Sequence, residues 1–226
     1  MAPPKVPADP IDWRPQEPLV TRVAVKIADP IVEPLWSGTR VVVHVDTHGG
    51  AMPPAVRMIE RSGLDLTAEE PMLAAAIGTA VLAQDAVLDG VLTSQATRGG
   101  TGMAIIPEAR LSVMDAMLSR DTGIAVSRSD TVEVPSEEAF VAVDLLAIDG
   151  ARLLDVPLLE RKRLLDGALA VGNLVRITPY IRPPIGSLAL TWHALGFREM
   201  AFKAGNGHYT PTGEPSDWAV VRINPR

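Results

Sequence analysis

The order of apolar and polar positions predicts strands along much of the chain. A β-branched run at residues 40–45 predicts one strand, and an apolar run at residues 86–93 predicts another. Residues 139–148 are apolar almost without interruption and end at Asp149-Gly150, a dipeptide typical of tight turns. Shorter strands are predicted at residues 23–27, 175–177, 199–203 and 218–223.

Three segments have the composition and spacing of helices. Residues 69–84 have an acidic start and an alanine-rich interior, and residues 108–120 follow a glycine-containing loop at 97–102. That loop lacks the spacing of a dinucleotide- or phosphate-binding motif, so a hairpin loop is the better interpretation. Residues 157–170 begin with proline, and we expect the outer, solvated face of this helix to carry Glu160, Arg161, Lys162 and Arg163.

The fold class follows from the mixture of these elements. Because strands and helices are interspersed and hairpin-type turns are frequent, the chain is predicted to be α+β, with mixed or antiparallel sheets packed with helices. Two regions are predicted, a proline-rich lead at residues 1–20 and a folded domain at residues 21–226. The lead is either disordered or extended along the domain, in which case Ile11 and Trp13 would anchor it.

Composition narrows the chemistry. The 226 residues contain no cysteine, which excludes disulfides, thiolate metal sites and thiol catalysis. The formal net charge of −6 argues against a broad nucleic-acid surface, which needs clustered lysine and arginine. The histidines lack zinc-binding spacing, so no metal ligands are predicted. Without a signal peptide or an apolar run of membrane length, we predict a cytoplasmic protein. Lysine occurs only as Lys5, Lys26, Lys162 and Lys203.

Six short segments carry a resemblance to a known family. They are EPLWSGTR (33–40), ERSGLDLT (60–67), VLDGV (87–91), VDLLAIDG (143–150), REMAFK (198–203) and YTPTGEPSDWAVVR (209–222). In this order they resemble the motifs of the adenylation domain of ATP-dependent DNA ligases, over about residues 31–223. The resemblance implies an ATP-grasp-like nucleotidyltransferase domain. No OB domain is expected within the chain, because the sequence stops at Arg226, just after the last predicted strand.

The resemblance implies transfer of AMP from ATP to a lysine, and this chain has other residues at several of the positions that this reaction uses. In the family a lysine attacks the α-phosphate of ATP, carboxylates bind a divalent metal, and later lysines neutralise phosphate charge. Here Leu35 stands at the nucleophile position, so no catalytic residue is assigned. Ser37 replaces the neighbouring aspartate and Val91 replaces the acid of the third motif. The retained residues that could contact a nucleotide are Arg40, Arg61 and Lys203.

These departures favour a catalytically inactive, ligase-like protein linked to DNA repair that acts as a binding or scaffold module. Its expected partner is another protein or a second copy, while DNA binding stays open and is weakened by the net charge. One alternative is an active nucleotidyltransferase that uses a displaced Lys26 or Lys203. Another is a noncovalent nucleotide sensor, with ATP as the candidate cofactor. If side chains have refilled the pocket, Leu35, Val91 and Val143 should pack together.

Overall fold

The computed structural model describes residues 9–18, 27–50, 52–95, 138–211, 213 and 217–223, without the side chain of Ser187. Within these residues the strands are β1 (Pro30–Pro34), β2 (Thr39–Asp46), β3 (Ala55–Glu60), β4 (Asp85–Thr93), β5 (Ala139–Ile148), β6 (Ala151–Arg152), β7 (Val175–Ile177), β8 (Glu199–Ala204) and β9 (Trp218–Arg222). The helices are α1 (Pro71–Ala80), α2 (Leu158–Ala168) and α3 (Gly186–Ala194). None of these helices is long and apolar enough to cross a membrane.

The larger sheet has six strands. Its order is β3-β2-β4-β5-β6, all antiparallel, and β7 joins β5 in parallel. Nine of the ten residues of β5 are buried, so both faces of this strand are covered, as its nearly continuous apolar sequence predicts. Gly90 on β4 lies against β5, and a Cβ added there would approach the ring of Phe140 to 2.2 Å. The two central strands therefore meet where only glycine fits.

The smaller sheet covers part of one face of the larger one. Strands β1, β8 and β9 form it in the order β1-β8-β9, and both pairs are antiparallel. An apolar cluster that includes Val32, Val91 and Met200 joins the two sheets. The opposite face of the larger sheet packs against α1, through a cluster that includes Ile77. Helix α2 packs beside β5, where Leu165 joins this cluster and Lys162 reaches Glu33 of the smaller sheet.

Residues 9–18 lie against the larger sheet beside the smaller one. Trp13 is fully buried there, in a third apolar cluster that includes Val42, Val87 and Leu154. Ile11 is only partly buried. Of the two alternatives for the proline-rich lead, extension along the domain is therefore confirmed for these ten residues, with Trp13 as the anchor.

The sequence predicted most strands of the described part correctly. The predicted fold class is confirmed, and the strands expected at 40–45, 86–93, 139–148, 175–177, 199–203 and 218–223 are present within one residue of those bounds. The helix expected at 69–84 is shorter, because Val81 leaves the helix and bridges to Leu169. Strands β1, β3 and β6 and helix α3 were not predicted. The loop expected at 97–102, the helix at 108–120 and all but the last residue of the strand at 23–27 lie outside the described residues.

One prediction about α2 is wrong. Glu160 and Arg163 are exposed and bond to each other, but Arg161 and Lys162 keep only 1% and 0% of their surface exposed. The reason is helical periodicity, since Arg161 and Lys162 precede the buried Leu165 by four and three residues and so share its face. This face points a guanidinium and an ammonium group into the protein.

Candidate functional site

The two sheets and α2 enclose a group of charged side chains, called here the charged cluster. Its members are Glu33 (β1), Arg40 (β2), Asp89 (β4), Asp144 (β5), Arg161 and Lys162 (α2), and Lys203 (β8). All are buried except Arg40, whose side chain keeps 23% of its surface exposed. Two small cavities border the charged cluster, and Arg40, Lys203 and Trp218 line both.

Glu33 is the shared partner of two lysines. Its Oε1 forms an ion pair with Nζ of Lys162, and its Oε2 lies 2.8 Å from Nζ of Lys203. Nζ of Lys162 also donates to the carbonyl oxygen of Val143 at 2.6 Å. Burial by itself would raise the pKa of Glu33, but the two ammonium groups outweigh it and lower the pKa to about 2. Glu33 is therefore a carboxylate at neutral pH and balances the lysine charge inside the protein.

Arg40 and Asp89 form a bidentate pair on neighbouring strands. Nε and Nη2 of Arg40 donate to the two carboxylate oxygens, the second at 2.6 Å. The hydroxyl of Tyr209 donates to Asp89 Oδ2 at 2.7 Å and accepts from the backbone N–H of Gln16 at 3.1 Å. Burial and the adjacent carboxylate raise the pKa of Tyr209 well above its ordinary value, so it stays a neutral donor.

Asp144 is paired with Arg161 in the same bidentate way. Nε and Nη2 of Arg161 donate to its two oxygens at 2.9 and 2.8 Å. Nη1 of Arg161 donates to the carbonyl oxygens of Val156 and Gly207, the latter at 3.1 Å. Both side chains are almost fully buried, at 2% and 5% exposure. Such a pair repays its desolvation only when its remaining donors are bonded, as they are here.

The indole ring of Trp218 contacts two of the cations. Nζ of Lys203 lies 4.6 Å from the ring centroid, and the guanidinium of Arg40 lies 5.4 Å from it. Burial lowers the pKa of Lys203, and the Glu33 carboxylate opposes this change. Lys203 and Arg40 therefore bind a carboxylate and the face of an aromatic ring within the protein itself.

Leu35, at the position that the resemblance gives to the nucleophile, lies at the second cavity. Val91 and Val143 line the same cavity, and both belong to the apolar cluster between the sheets. Leu35 is neither a member of that cluster nor among the side chains packed against it, so the expected packing of all three stays a prediction. Each of the two cavities opens to solvent and has room for about one water molecule, about 20 Å³.

Within the described residues, the site lacks features that the resemblance implies for covalent adenylation and for a phosphate-bound metal. Leu35 has no nucleophilic atom. Glu33, Asp89 and Asp144 each form an ion pair with a cationic side chain, so none of these carboxylates is uncommitted. In the described part of the chain, no group of three or more histidine, aspartate or glutamate side chains is placed to hold a metal ion.

The structure brings together two of the three predicted nucleotide-contact residues. Arg40 and Lys203 meet at Trp218, whereas Arg61 lines neither cavity and forms an ion pair with Glu17. The side chain of Arg61 is 46% exposed. The assignment of all three to a nucleotide stays a prediction, and the alternative nucleophile Lys26 lies outside the described residues.

Sequence reasoning missed five members of the charged cluster. Glu33, Asp89 and Asp144 stood inside resemblance motifs but were not assigned to the site, and Arg161 and Lys162 were placed in solvent. For the two cations a usable signal existed, because the spacing to Leu165 puts both on the apolar face of α2. For the acids there was none, since their partners come from distant parts of the sequence.

The fold is that of the nucleotidyltransferase domain of ATP-dependent DNA ligases. The chain superposes on the crystallised ligase domain of Mycobacterium tuberculosis LigD with a TM-score of 0.62 at 22% identity, covering 95% of this chain and 60% of that one. A mycobacterial DNA ligase D complexed with ATP and MES gives a TM-score of 0.62 at 23% identity, covering 95% and 61%. Chlorella virus DNA ligase-adenylate gives 0.54 at 10% identity, covering 93% and 67%.

Sequence similarity points to LigD in particular. The chain is 28% identical over 205 residues to the multifunctional non-homologous end joining protein LigD of Mycobacterium bovis, covering 88% of this chain and 22% of that protein. The LigD proteins of two Mycobacterium tuberculosis strains give the same values. The chain thus spans about a fifth of the length of these relatives. No model of a known protein family matches the sequence.

Proposed function

We propose that this chain is an ATP-dependent DNA ligase-like domain, linked to DNA repair, that has lost covalent adenylation and acts as a binding or scaffold module. The ligase fold and the similarity to LigD, a protein of non-homologous end joining, support the first part. The absence of a nucleophile at Leu35 supports the second. Losing the nucleophile of a coupled catalytic set costs on the order of 10⁶ in rate in a serine protease.

The observation that carries the proposal is the internal pairing of the charged cluster. Lys203 and Arg40 stand at the positions where the resemblance expects phosphate contacts, and they contact Glu33 and Asp89 instead. An incoming triphosphate would have to displace these buried carboxylates, which would then lose their partners. Leaving a buried carboxylate unpaired costs about 3–5 kcal/mol. Nucleotide binding would therefore oppose the stability of the fold.

The proposed role is binding without chemistry. The net charge of −6 disfavours independent, salt-resistant DNA binding, because few phosphates could be neutralised. Four cations of the described domain, Arg40, Arg161, Lys162 and Lys203, are also used in internal pairs. A protein partner or a second copy of the chain is therefore the favoured ligand, ahead of free DNA.

The experiment that tests the proposal is incubation with α-labelled ATP and Mg²⁺ or Mn²⁺, followed by denaturing electrophoresis. A working ligase domain serves as the positive control. We expect no covalent AMP band from the wild-type chain, because no described residue at the nucleophile position can form a phosphoramidate.

Two variants and a matched control decide what a band would mean. Lys203→Ala and Lys26→Ala remove the candidate displaced nucleophiles, and Arg163→Ala removes an exposed cation outside the charged cluster. A band that disappears in either lysine variant and persists in Arg163→Ala would establish an active nucleotidyltransferase and overturn the proposal.

A further inference from the structure

Residues 9–18, called here the strap, occupy a groove on the larger sheet. The groove is lined by apolar side chains from β2, β4, β5 and the segments that follow β6 and β8, namely Val42, Val87, Leu146, Ala147, Leu154 and Tyr209. Trp13 fills it with 0% of its surface exposed. The guanidinium of Arg152 lies over the Trp13 ring, 5.6 Å from its centroid.

Beyond Trp13 the strap is held by hydrogen bonds to one loop of the domain. The Gln16 side-chain oxygen accepts from the backbone N–H of Thr210 at 2.9 Å. The backbone N–H of Glu17 donates to the carbonyl oxygen of Gly213 at 3.2 Å. Glu17 also forms an ion pair with Arg61, which was predicted to contact a nucleotide but lines neither cavity. All of these contacts are tertiary, so the strap binds the domain as a peptide would.

The strap has little of the backbone bonding that fixes a strand. Its described residues form a single 3-10 turn at Pro10–Asp12 and belong to neither sheet. Prolines 10, 15 and 18 cannot donate to a ladder and stiffen the extended chain. Segments that combine one apolar anchor with few backbone hydrogen bonds open locally at a lower free energy than sheet strands do. We therefore expect the strap to detach from the groove at a lower free energy than global unfolding requires, while the rest of the domain stays folded.

The strap also closes one side of the charged cluster. Gln16 lines the first cavity together with Arg40, Asp89 and Arg161. Its backbone N–H binds the hydroxyl of Tyr209, and that hydroxyl binds Asp89. A departing strap would take away the donor to Tyr209 and uncover the Tyr209 ring, which forms part of the groove.

We propose that the strap is a displaceable latch, a tryptophan-anchored peptide bound in a groove of its own domain, whose release uncovers Tyr209 and the adjoining side of the charged cluster. The groove is thus a recognition site for an extended segment that carries a tryptophan between prolines. A tethered segment competes at an effective concentration in the millimolar range, so the groove is filled in cis until the strap is displaced. The inference does not depend on whether the site binds ATP.

The first test uses the absence of cysteine from the chain. Val41 and Val42 are consecutive on β2 and both are 0% exposed, but Val42 lies under Trp13 and Val41 faces the helices. We expect a thiol reagent to modify Val42→Cys at least about 10-fold faster than Val41→Cys, with a weaker dependence on urea, because opening the strap exposes little surface. Equal rates and equal urea dependences would show that the strap opens only by global unfolding and would overturn the proposal.

The second test offers the strap in trans. A fluorescent peptide DPIDWRPQEP, residues 9–18, is titrated with the full chain carrying Trp13→Ala and with the wild-type chain. We expect binding to the Trp13→Ala chain at least about 10²-fold tighter than to wild type, and no binding of the same peptide with alanine for tryptophan. Equal affinity for both chains, or for both peptides, would contradict the proposal. If Trp13→Ala does not fold, the comparison of Val41→Cys with Val42→Cys decides alone.

Discussion

The substitution Glu33→Gln should expose how strongly the charged cluster depends on its central carboxylate. Glutamine keeps the size and polarity of the side chain but removes the negative charge. Lys162 and Lys203 would then remain buried, at 0% and 7% exposure, without the carboxylate that both now share. Each ammonium group also disfavours the charge of the other, since Lys162 contributes to the lowered pKa of Lys203.

Two estimates of the stability lost in Glu33→Gln agree. Breaking a buried ion pair by removing one partner costs about 3–5 kcal/mol. Independently, the pKa of Glu33 falls from 4.5 to about 2 on folding, and this change corresponds to about 3 kcal/mol of stability at neutral pH. Because the folded-state pKa is the lower one, this stability is present above pH 4.5 and is lost as the pH falls toward 2. A loss of this size is a large part of the free energy of unfolding of a native protein, which is usually about 5–15 kcal/mol.

Urea denaturation at pH 7, followed by circular dichroism, measures the effect. The matched control is Glu160→Gln on α2, which removes the same charge from an exposed pair with Arg163 and should change the midpoint little. The reasoning would be refuted if Glu33→Gln lowered the free energy of unfolding by less than about 1 kcal/mol, or by no more than the control does.

Two further predictions concern stability, one at His44 and one at Gly38. Burial, aided by Arg57, lowers the pKa of His44 to about 4, so stability should be full above pH 6.5 and fall by about 2 kcal/mol as the pH drops to 5. Thermal melts across this range should show the decline, and His44→Leu should flatten it. Gly38 has φ of +140°, and a Cβ there would lie 2.0 Å from the carbonyl oxygen of Leu92. Gly38→Ala should therefore lower the free energy of unfolding by more than about 2 kcal/mol. Gly167 lies in α2, where an added Cβ meets open space, so Gly167→Ala should be neutral or stabilising. Similar melting temperatures for the two variants would contradict this expectation.

The strands of the large sheet could be predicted because their local pattern is strong. Residues 139–148 are apolar on both faces and end in a turn dipeptide, and the structure places β5 over that same range. Strand β1 could not be predicted in this way. Its five residues begin and end with proline, which the usual pattern excludes from a strand. It forms because β8 pairs with it across the small sheet, a contact more than 160 positions away in sequence.

The candidate site shows the same division between local and distant information. Leu35 and Val91 could be recognised as departures because their neighbours in the sequence define the positions. The ion pairs of the cations could not be predicted, because Lys162 and Lys203 contact Glu33 only once the fold brings α2, β8 and β1 together. The solvent assignment of Arg161 and Lys162 failed for a different reason, because residue charge was given more weight than the spacing to Leu165.

Calorimetric titration of the wild-type chain with ATP and Mg²⁺ tests most directly whether internal pairing has replaced nucleotide binding. With the cations of the charged cluster held by Glu33, Asp89 and Asp144, and cavities of about 20 Å³, the account predicts no saturable heat at millimolar ATP. Saturable binding of one ATP per chain, lost in Lys203→Ala and unchanged in Arg163→Ala, would contradict it.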